Sequence, residues 1–309
     1  MGEIRVGIVG VGNCASSLVQ GLEFYRKADE GAPIPGLMHT VLGGYAIRDV
    51  KVVCGFDIDA RKVGRDVSEA IFAAPNCALR VVEEMPKGGA PVYKAPVLDG
   101  VTPLMETQSP DRRFIPSDEP DVDVVEKLEE HAVDVLVSYL PVGSQLATEM
   151  WMHAALEAGT AVVNCIPVFI ASHPEWAQRF TKARVPVLGD DIKSQVGATI
   201  VHRVLADLFE ARGVRIEHTY QHNVGGNTDF LTLSDRARLE SKRISKTEAV
   251  QSQLHEPLSE EDIKIGPSDY VPFLGDNKVC FIRMEGRAFT DAPLELDLRL
   301  SVQDSPNSA

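Results

Sequence analysis

Gly10, Gly12 and Ala15 stand in the spacing G-x-G-x-x-A, directly after the apolar run Ile4–Val9 and at the mouth of a helical pattern that opens with Asn13 and Cys14. Each small residue has its own task in such a turn. Gly10 permits the tight bend, Gly12 lets backbone approach a pyrophosphate, and Ala15 allows the helix to pack closely on its strand. The leading N–H groups of the helix then face phosphate oxygens along its dipole. The chemistry indicated is dinucleotide binding. A carboxylate ending the second strand normally accepts from the adenosine ribose hydroxyls; here that residue is Asp57 in GFDID, which favours NAD over NADP. The spacing far exceeds the usual ~20 residues, and a glycine-rich insertion between Phe24 and Asp49 accounts for it. Asp59 reads either as a second acceptor or as a surface loop carboxylate.

Other polar residues end apolar runs where a ligand crevice opens. Ser138 closes one strand and Asn164 the next. Each is either a ligand contact or a simple strand cap. Asp190-Asp191-Ile192-Lys193-Ser194 follows a further strand and leads into a helix. Paired carboxylates beside a lysine can bind a metal or tune the lysine's proton, and Asp191 or Ser194 can equally cap the helix. Lys242 and Lys246 are four apart and share one helix face. They form a solvated basic face, or they are held together by an anion. Asp276 and Lys278 again pair a carboxylate with an ammonium just before a strand. Fixed ammonium groups can stabilise negative charge that develops on a reacting oxygen. His218 and His222 share a strand face, but no third zinc ligand accompanies them.

The elements that must position these groups follow from the pattern. Val- and Ile-rich runs at Ile4–Val9, Val50–Phe56, Val133–Tyr139, Ala161–Cys165 and Val185–Leu188 alternate with helical stretches, the rhythm of a parallel sheet wrapped by helices. A proline-rich stretch from about Ala73 to Asp123 reads as irregular. Beyond Asp190 the character changes. A helix is expected from Ser194 to about Ala211, then strands at Val214–His222, Val279–Gly286 and Leu294–Val302, with the basic helix SDRARLESKRISKTEAV between them. The last strand alternates strictly, with leucines on one face and Glu295, Asp297 and Arg299 on the other, as in a half-buried strand of an open antiparallel sheet. The fold class is α/β: a Rossmann-type doubly wound sheet over 1–200, plus an α+β catalytic and oligomerisation domain over 201–303.

Bulk properties narrow the partners. A net charge of −14 argues against nucleic acid and anionic membrane, both of which are bound through basic surface. The start of the chain has neither a basic n-region nor a cleavage site, and no apolar run approaches the ~18 residues of a membrane span. Five scattered cysteines without a C-x-x-C read as reduced thiols. The expected compartment is the cytoplasm.

The motifs GIVGVGNCASSLVQG, SYLPVGS, GDDIKSQVGAT, NVGGNTDFL, RLESKRISKT, GPSDYVPFLGDNK and DSPNSA together resemble the actinobacterial and archaeal branch of the myo-inositol-1-phosphate synthases, over essentially the whole chain. The resemblance implies a homotetramer that converts D-glucose 6-phosphate to 1D-myo-inositol 3-phosphate with NAD, by oxidation at C5, enolisation, aldol closure of C6 on C1 and reduction. It places Asp191, Lys193 and Ser194 near nicotinamide and substrate, Lys242 and Lys246 on the catalytic lysine pair, and Lys278 and Asp276 on a further active-site lysine and acid. Asp304 falls on a carboxylate near the nicotinamide, and Asn223 and Asn227 on the substrate loop. The family's association with zinc or other cations implies a possible divalent metal, and its biology implies inositol and phospholipid biosynthesis. Residues 304–309 match the start of a return toward the Rossmann domain. The family continues from there with a helix and another lysine, which this sequence lacks. The competing readings are an ordinary NAD-dependent sugar or polyol dehydrogenase and a non-catalytic NAD-binding protein.

Overall fold

Ile4–Val9 (β1) presents apolar residues on both faces, with only Arg5 charged near its start, as a strand does when helices cover both sides of its sheet. Val6 and Ile8 join one hydrophobic core with Ala15, Val19 and Ile71, while Val9 joins another with Phe56, Leu136, Trp151 and Phe180. This alternation is the period-two signature of a strand buried on both sides. The computed structural model of the chain describes residues 2–28, 33–234 and 240–309, with the side chains of 240–243, 245 and 267 outside that set. The chain divides into two units, Met1–Asp190 and Asp191–Ala309. The expected division at residue 200 differs, and the loop residue Asp191 opens the second unit.

In the first unit, β1 is joined by Val50–Asp57 (β2), Val92–Lys94 (β3), Val135–Ser138 (β4), Ala161–Asn164 (β5) and Val187–Leu188 (β6). All pairings are parallel, in the order β3-β2-β1-β4-β5-β6. The order reverses between β1 and β4, and the ligand crevice of such sheets opens at that reversal, beyond the carboxyl ends of the strands. Asn13–Phe24 (α1), Val124–Glu130 (α2), Gln145–Ala158 (α3) and Pro174–Ala183 (α4) wrap the sheet. Asp123 caps α2, and Asp99 reaches across the sequence to accept from Leu146 and Ala147 at the head of α3. The stretch between Ala73 and Asp123 is less irregular than its prolines suggest, since it contains the edge strand β3 and a one-turn helix at Pro103–Glu106.

The second unit holds Ala198–Ala211 (α5), Arg215–Gly225 (β7), Thr228–Leu233 (α6), Glu240–Gln251 (α7), Ile263–Tyr270 (β8), Asn277–Arg287 (β9), Pro293–Gln303 (β10) and Asp304–Ser308 (α8). The sheet order is β8-β7-β9-β10. It is mixed, not antiparallel as the sequence suggested: β7–β9 and β9–β10 run antiparallel, but β8 lies parallel to β7. Gly266 and Pro267 interrupt the apolar alternation of β8 and hide it in the sequence. Helix α5 begins at Ala198, four residues later than expected, with Gly197 at its N-cap. Residues 195 and 196 instead bond to Asn307, which lies in α8. Leu294, Leu296, Leu298 and Leu300 pack on a core of Phe209, Ile216, Cys280, Ile282 and Met284.

Trp151 is 1% exposed, and its ring lies 4.8 Å from that of Phe56. Replacing it by Ala should cost ~3–5 kcal/mol, the usual penalty for emptying an aromatic site in a packed core, measured as a loss of unfolding free energy in urea.

Candidate active site

The first unit builds a ledge at the carboxyl ends of β1, β2, β4 and β5. Gly10 has φ +82°, and a Cβ there would lie 2.7 Å from the Tyr139 carbonyl oxygen, so only glycine fits. Gly12 differs: a Cβ would meet nothing within 4 Å. Its lack of a side chain therefore serves no packing need and leaves clear space beside the head of α1. No side chain caps that helix start. Ala15 is fully buried, and Cys14 is part-buried beside it. Asn13 turns its Oδ1 inward to accept from Cys77 and Ala78 N–H at 2.7 and 3.0 Å. Asp57 Oδ2 accepts from Val11 N–H at 2.9 Å, while Oδ1 accepts from the Ile58 and Asp59 N–H groups at 2.8 and 2.9 Å. A carboxylate has about four lone-pair directions, and the fourth side of this one faces the buried Lys62 ammonium, 3.6 Å from Oδ2. Asp59 is not a surface carboxylate. It is fully buried, paired with Arg61 and bonded to Ile115 N–H. Burial alone would raise its pKa; the Arg61 and backbone hydrogen bonds outweigh burial and hold it below the usual range.

Ser138 and Asn164 sit side by side in the β4–β5 register, both fully buried. The Ser138 hydroxyl and the Asn164 Oδ1 find no hydrogen-bond partner among the described residues. Buried polar atoms rarely stay unpaired without a reason. Open space at Gly12 and two orphaned polar atoms at adjacent strand ends fit a dinucleotide. Asp190, expected to pair with Asp191 around a metal or a lysine, is used otherwise. Its carboxylate accepts from Asn164 Nδ2, from the Ile170, Ala171 and Ser172 N–H groups and from the Ser172 hydroxyl. Among the described residues, no group of three His, Cys, Asp or Glu side chains could hold a metal ion.

The second unit concentrates charge around two buried carboxylates. Asp276 and Asp304 are 4% and 8% exposed, and β9–β10 pairing brings them together: Asn277 faces Gln303, and Asp304 N–H bonds the Asp276 carbonyl. Asn227 Nδ2 bridges both, at 3.1 Å to Asp276 and 3.3 Å to Asp304. Its Oδ1 meanwhile caps α6 through Asp229 and Phe230 N–H. Lys278 Nζ donates to Asp304 Oδ1 at 2.9 Å and lies 5.6 Å from the centre of the Phe230 ring. Ser305 donates to Asp276 through its hydroxyl and its backbone N–H. Burial pushes the Asp276 carboxyl above the ordinary carboxylate range despite these donors, and the Asp304 charge pushes it the same way. Lys246 is buried. Burial raises the Cys280 thiol to about 11, while the charges of Lys278 and Lys246 pull it down, so both ammonium groups act on this point of β9. Lys193 Nζ pairs with Asp191 at 2.8 Å, and Ser194 exchanges a hydrogen bond with Ser308. The Lys242 side chain lies outside the described residues.

Asn223 and the pair His218 and His222 lie along β7. Asn223, expected on the substrate loop, is 1% exposed, and its Nδ2 has no partner among the described residues. Behind it run Gln221, His202 and Thr219, a buried polar row that periodicity alone does not reveal. His218 and His222 face separate acids, Asp262 and Asp269.

The family model for myo-inositol-1-phosphate synthase matches residues 197–305. The inositol-3-phosphate synthase of Mycobacterium tuberculosis is 56% identical over 307 residues, covering 99% of this chain and 82% of that protein. The chain belongs to the inositol-3-phosphate synthase family. The same enzyme from Mycolicibacterium smegmatis is 55% identical, across 100% of this chain and 84% of its own. The crystal structure of a myo-inositol-1-phosphate synthase-related protein from Thermotoga maritima superposes with a TM-score of 0.78 at 25% identity, over 99% and 84% of the two chains. The family is one of NAD-dependent isomerases acting on glucose 6-phosphate, and the chain is an enzyme of this class. No helix among the described residues is long and apolar enough to cross a membrane.

Gly12→Val should fill the space beside the head of α1 and weaken NAD binding at least ~10-fold in calorimetry, while the protein stays folded in urea titrations with at most the loss of ~1 kcal/mol of a poorer N-cap, because nothing lies within 4 Å of the new Cβ. His202 yields a pH prediction. Burial lowers its imidazole to about 4, against the opposing Gln221 hydrogen bond, whereas the unfolded group titrates near ~6.5. Protons therefore bind the unfolded chain preferentially between those values. Stability is full above the unfolded value and should fall by about 3 kcal/mol as pH drops toward the folded one, a slope that His202→Gln should remove from urea titrations.

Proposed function

We propose that the conversion of glucose 6-phosphate to inositol 3-phosphate is carried by Lys246 and Lys278 with the Asp276–Asp304 pair, together with Lys242 of the same helix as Lys246, and that NAD is held at the glycine turn of the first unit. The observation that carries this reading is the buried lysine–carboxylate constellation, in which an ammonium is fixed by one acid while the neighbouring acid has its affinity for a proton raised. Bound NAD supplies a hydride acceptor and returns the hydride later. Gly10, Gly12, Asn13, Cys14 and Ala15 form the phosphate turn, Asp57 is the second-strand carboxylate beside the adenosine ribose, and Ser138 and Asn164 offer their orphaned polar atoms. Asp191, Lys193, Ser194 and Asp304 serve the nicotinamide end, and Asn223 and Asn227 orient the sugar phosphate.

The chemistry needs negative charge stabilised three times: at the C5 oxygen as its proton leaves, at the enolate oxygen once a C6 proton is removed, and at the C1 oxygen when C6 attacks the aldehyde. Lys278, clamped at 2.9 Å by Asp304, is a fixed cation that requires little reorganisation to meet such charge. Asp276, with its raised affinity for protons, is suited to passing one between successive oxygens. We further propose a cytoplasmic homotetramer, built through the open sheet of the second unit, that supplies inositol for phospholipid synthesis.

Given glucose 6-phosphate and NAD at a small fraction of the substrate concentration, the protein should form inositol phosphate over many turnovers without accumulating reduced cofactor. Reduced cofactor rising in step with product, and no cyclised sugar, would mean an ordinary dehydrogenase. Lys278→Ala should lower the rate by ~10²–10³, the loss expected for one developing-oxyanion donor, with NAD affinity within a few-fold of wild type. An unchanged rate would remove Lys278 from the chemistry while leaving the fold as described.

A further inference from the structure

Lys62 has no place in the reading so far, yet it is among the most deeply buried large side chains in the chain, at 1% exposure. A lysine is almost never fully buried unless its ammonium is paired. Its Nζ donates to Asn76 Oδ1 at 3.1 Å and stands 3.6 Å from Asp57 Oδ2. Both partners lead to one residue. Asp57 Oδ2 accepts the Val11 N–H at 2.9 Å, and Asn76 Nδ2 donates to the Val11 carbonyl at 3.0 Å and to the Ile71 carbonyl at 2.9 Å. Val11 N–H, Asp57, Lys62, Asn76 and Val11 C=O thus close a ring. Val11 is the residue between Gly10 and Gly12, so both polar groups of its backbone are held by side chains from elsewhere in the unit.

We propose that Lys62 is a positioning residue for dinucleotide binding, acting through Asp57 and Asn76 to hold the glycine turn in its phosphate-accepting conformation. The inference rests on the reading of this turn as the NAD site. Lys62 does not act by touching phosphate, since its ammonium points inward to Asn76 and is shut off from solvent. It acts because a glycine turn is conformationally permissive, so its N–H groups aim at a phosphate only when something else fixes the intervening residue. The ring supplies that constraint at both the donor and the acceptor of Val11. It also holds the Asp57 carboxylate against the turn. Asn13, bonded to Cys77 and Ala78, fastens the segment following Asn76 to the head of α1.

Lys62→Met preserves the length and apolar stem of the side chain and removes its charge. NAD titration by calorimetry should give a Kd raised about tenfold, the size of effect expected from leaving a buried polar partner unpaired. In turnover assays the loss should appear in the NAD KM and be made up at saturating NAD. A merely structural lysine would instead lower the active fraction and leave the KM unchanged. Asn76→Ala should behave like Lys62→Met, and the double variant should be little worse than either, because opening a ring at a second point adds little. NAD binding by Lys62→Met at the wild-type Kd, or single losses that multiply in the double variant, would overturn the inference. Should Lys62→Met not fold, a wild-type NAD KM in Asn76→Ala would overturn it alone. Absence of NAD binding by the wild-type protein would overturn the reading of the turn itself, and this inference with it.

Discussion

Two carboxylates buried side by side are the constraint around which the second unit is arranged. Asp276 and Asp304 repel each other, and burial deprives both of water; without donors the pair would be strongly unfavourable. Lys278, Asn227 and Ser305 supply those donors, and each brings a different element with it. Asn227 fixes the start of α6, Lys278 lies on β9, and Ser305 opens the short helix α8. The end of α8 ties to residues 194–196, so the loop carrying Asp191 and Lys193 is anchored to the same turn. The Asp276–Asp304 centre is thus one connected set of hydrogen bonds with like charges in its middle.

The first unit meets a different demand. A dinucleotide needs exposed backbone N–H groups held still, and glycine provides exposure without stillness. Rigidity comes from outside the turn: Asp57 and Asn76 grip Val11, and Tyr139 sits where any side chain on Gly10 would project. Asp190 illustrates a related economy in the same unit. By type and neighbourhood it reads as half of a carboxylate pair for a metal or a lysine, yet it folds the 170–172 loop back by accepting three backbone N–H groups and a serine hydroxyl.

Much of this was legible beforehand, for identifiable reasons. Strands covered on both faces appear as apolar runs, and four of the expected strand spans overlap β1, β2, β4 and β5 closely. The β10 alternation was equally plain because one of its faces meets the core. By contrast β3 is only three residues long within a proline-rich stretch, and β8 carries a glycine and a proline inside it. Lys62 and Asn76 gave no signal, because neither belongs to a spacing motif. Their meaning comes from partners that lie far from them in sequence.

The sequence by itself determined the α/β character, the glycine turn, the second-strand carboxylate and the presence of several lysines and acids suited to oxyanion chemistry, because residue type and local period depend on near neighbours. Tertiary structure decided how those residues are used. Whether a carboxylate holds the glycine turn, anchors a loop or is a buried acid with a raised proton affinity depends on which donors surround it. Asp57, Asp59, Asp190 and Asp276 are chemically alike in sequence and differ in all of these respects once folded. The donors that separate them arrive through strand register and long-range hydrogen bonds, and local sequence carries no record of either.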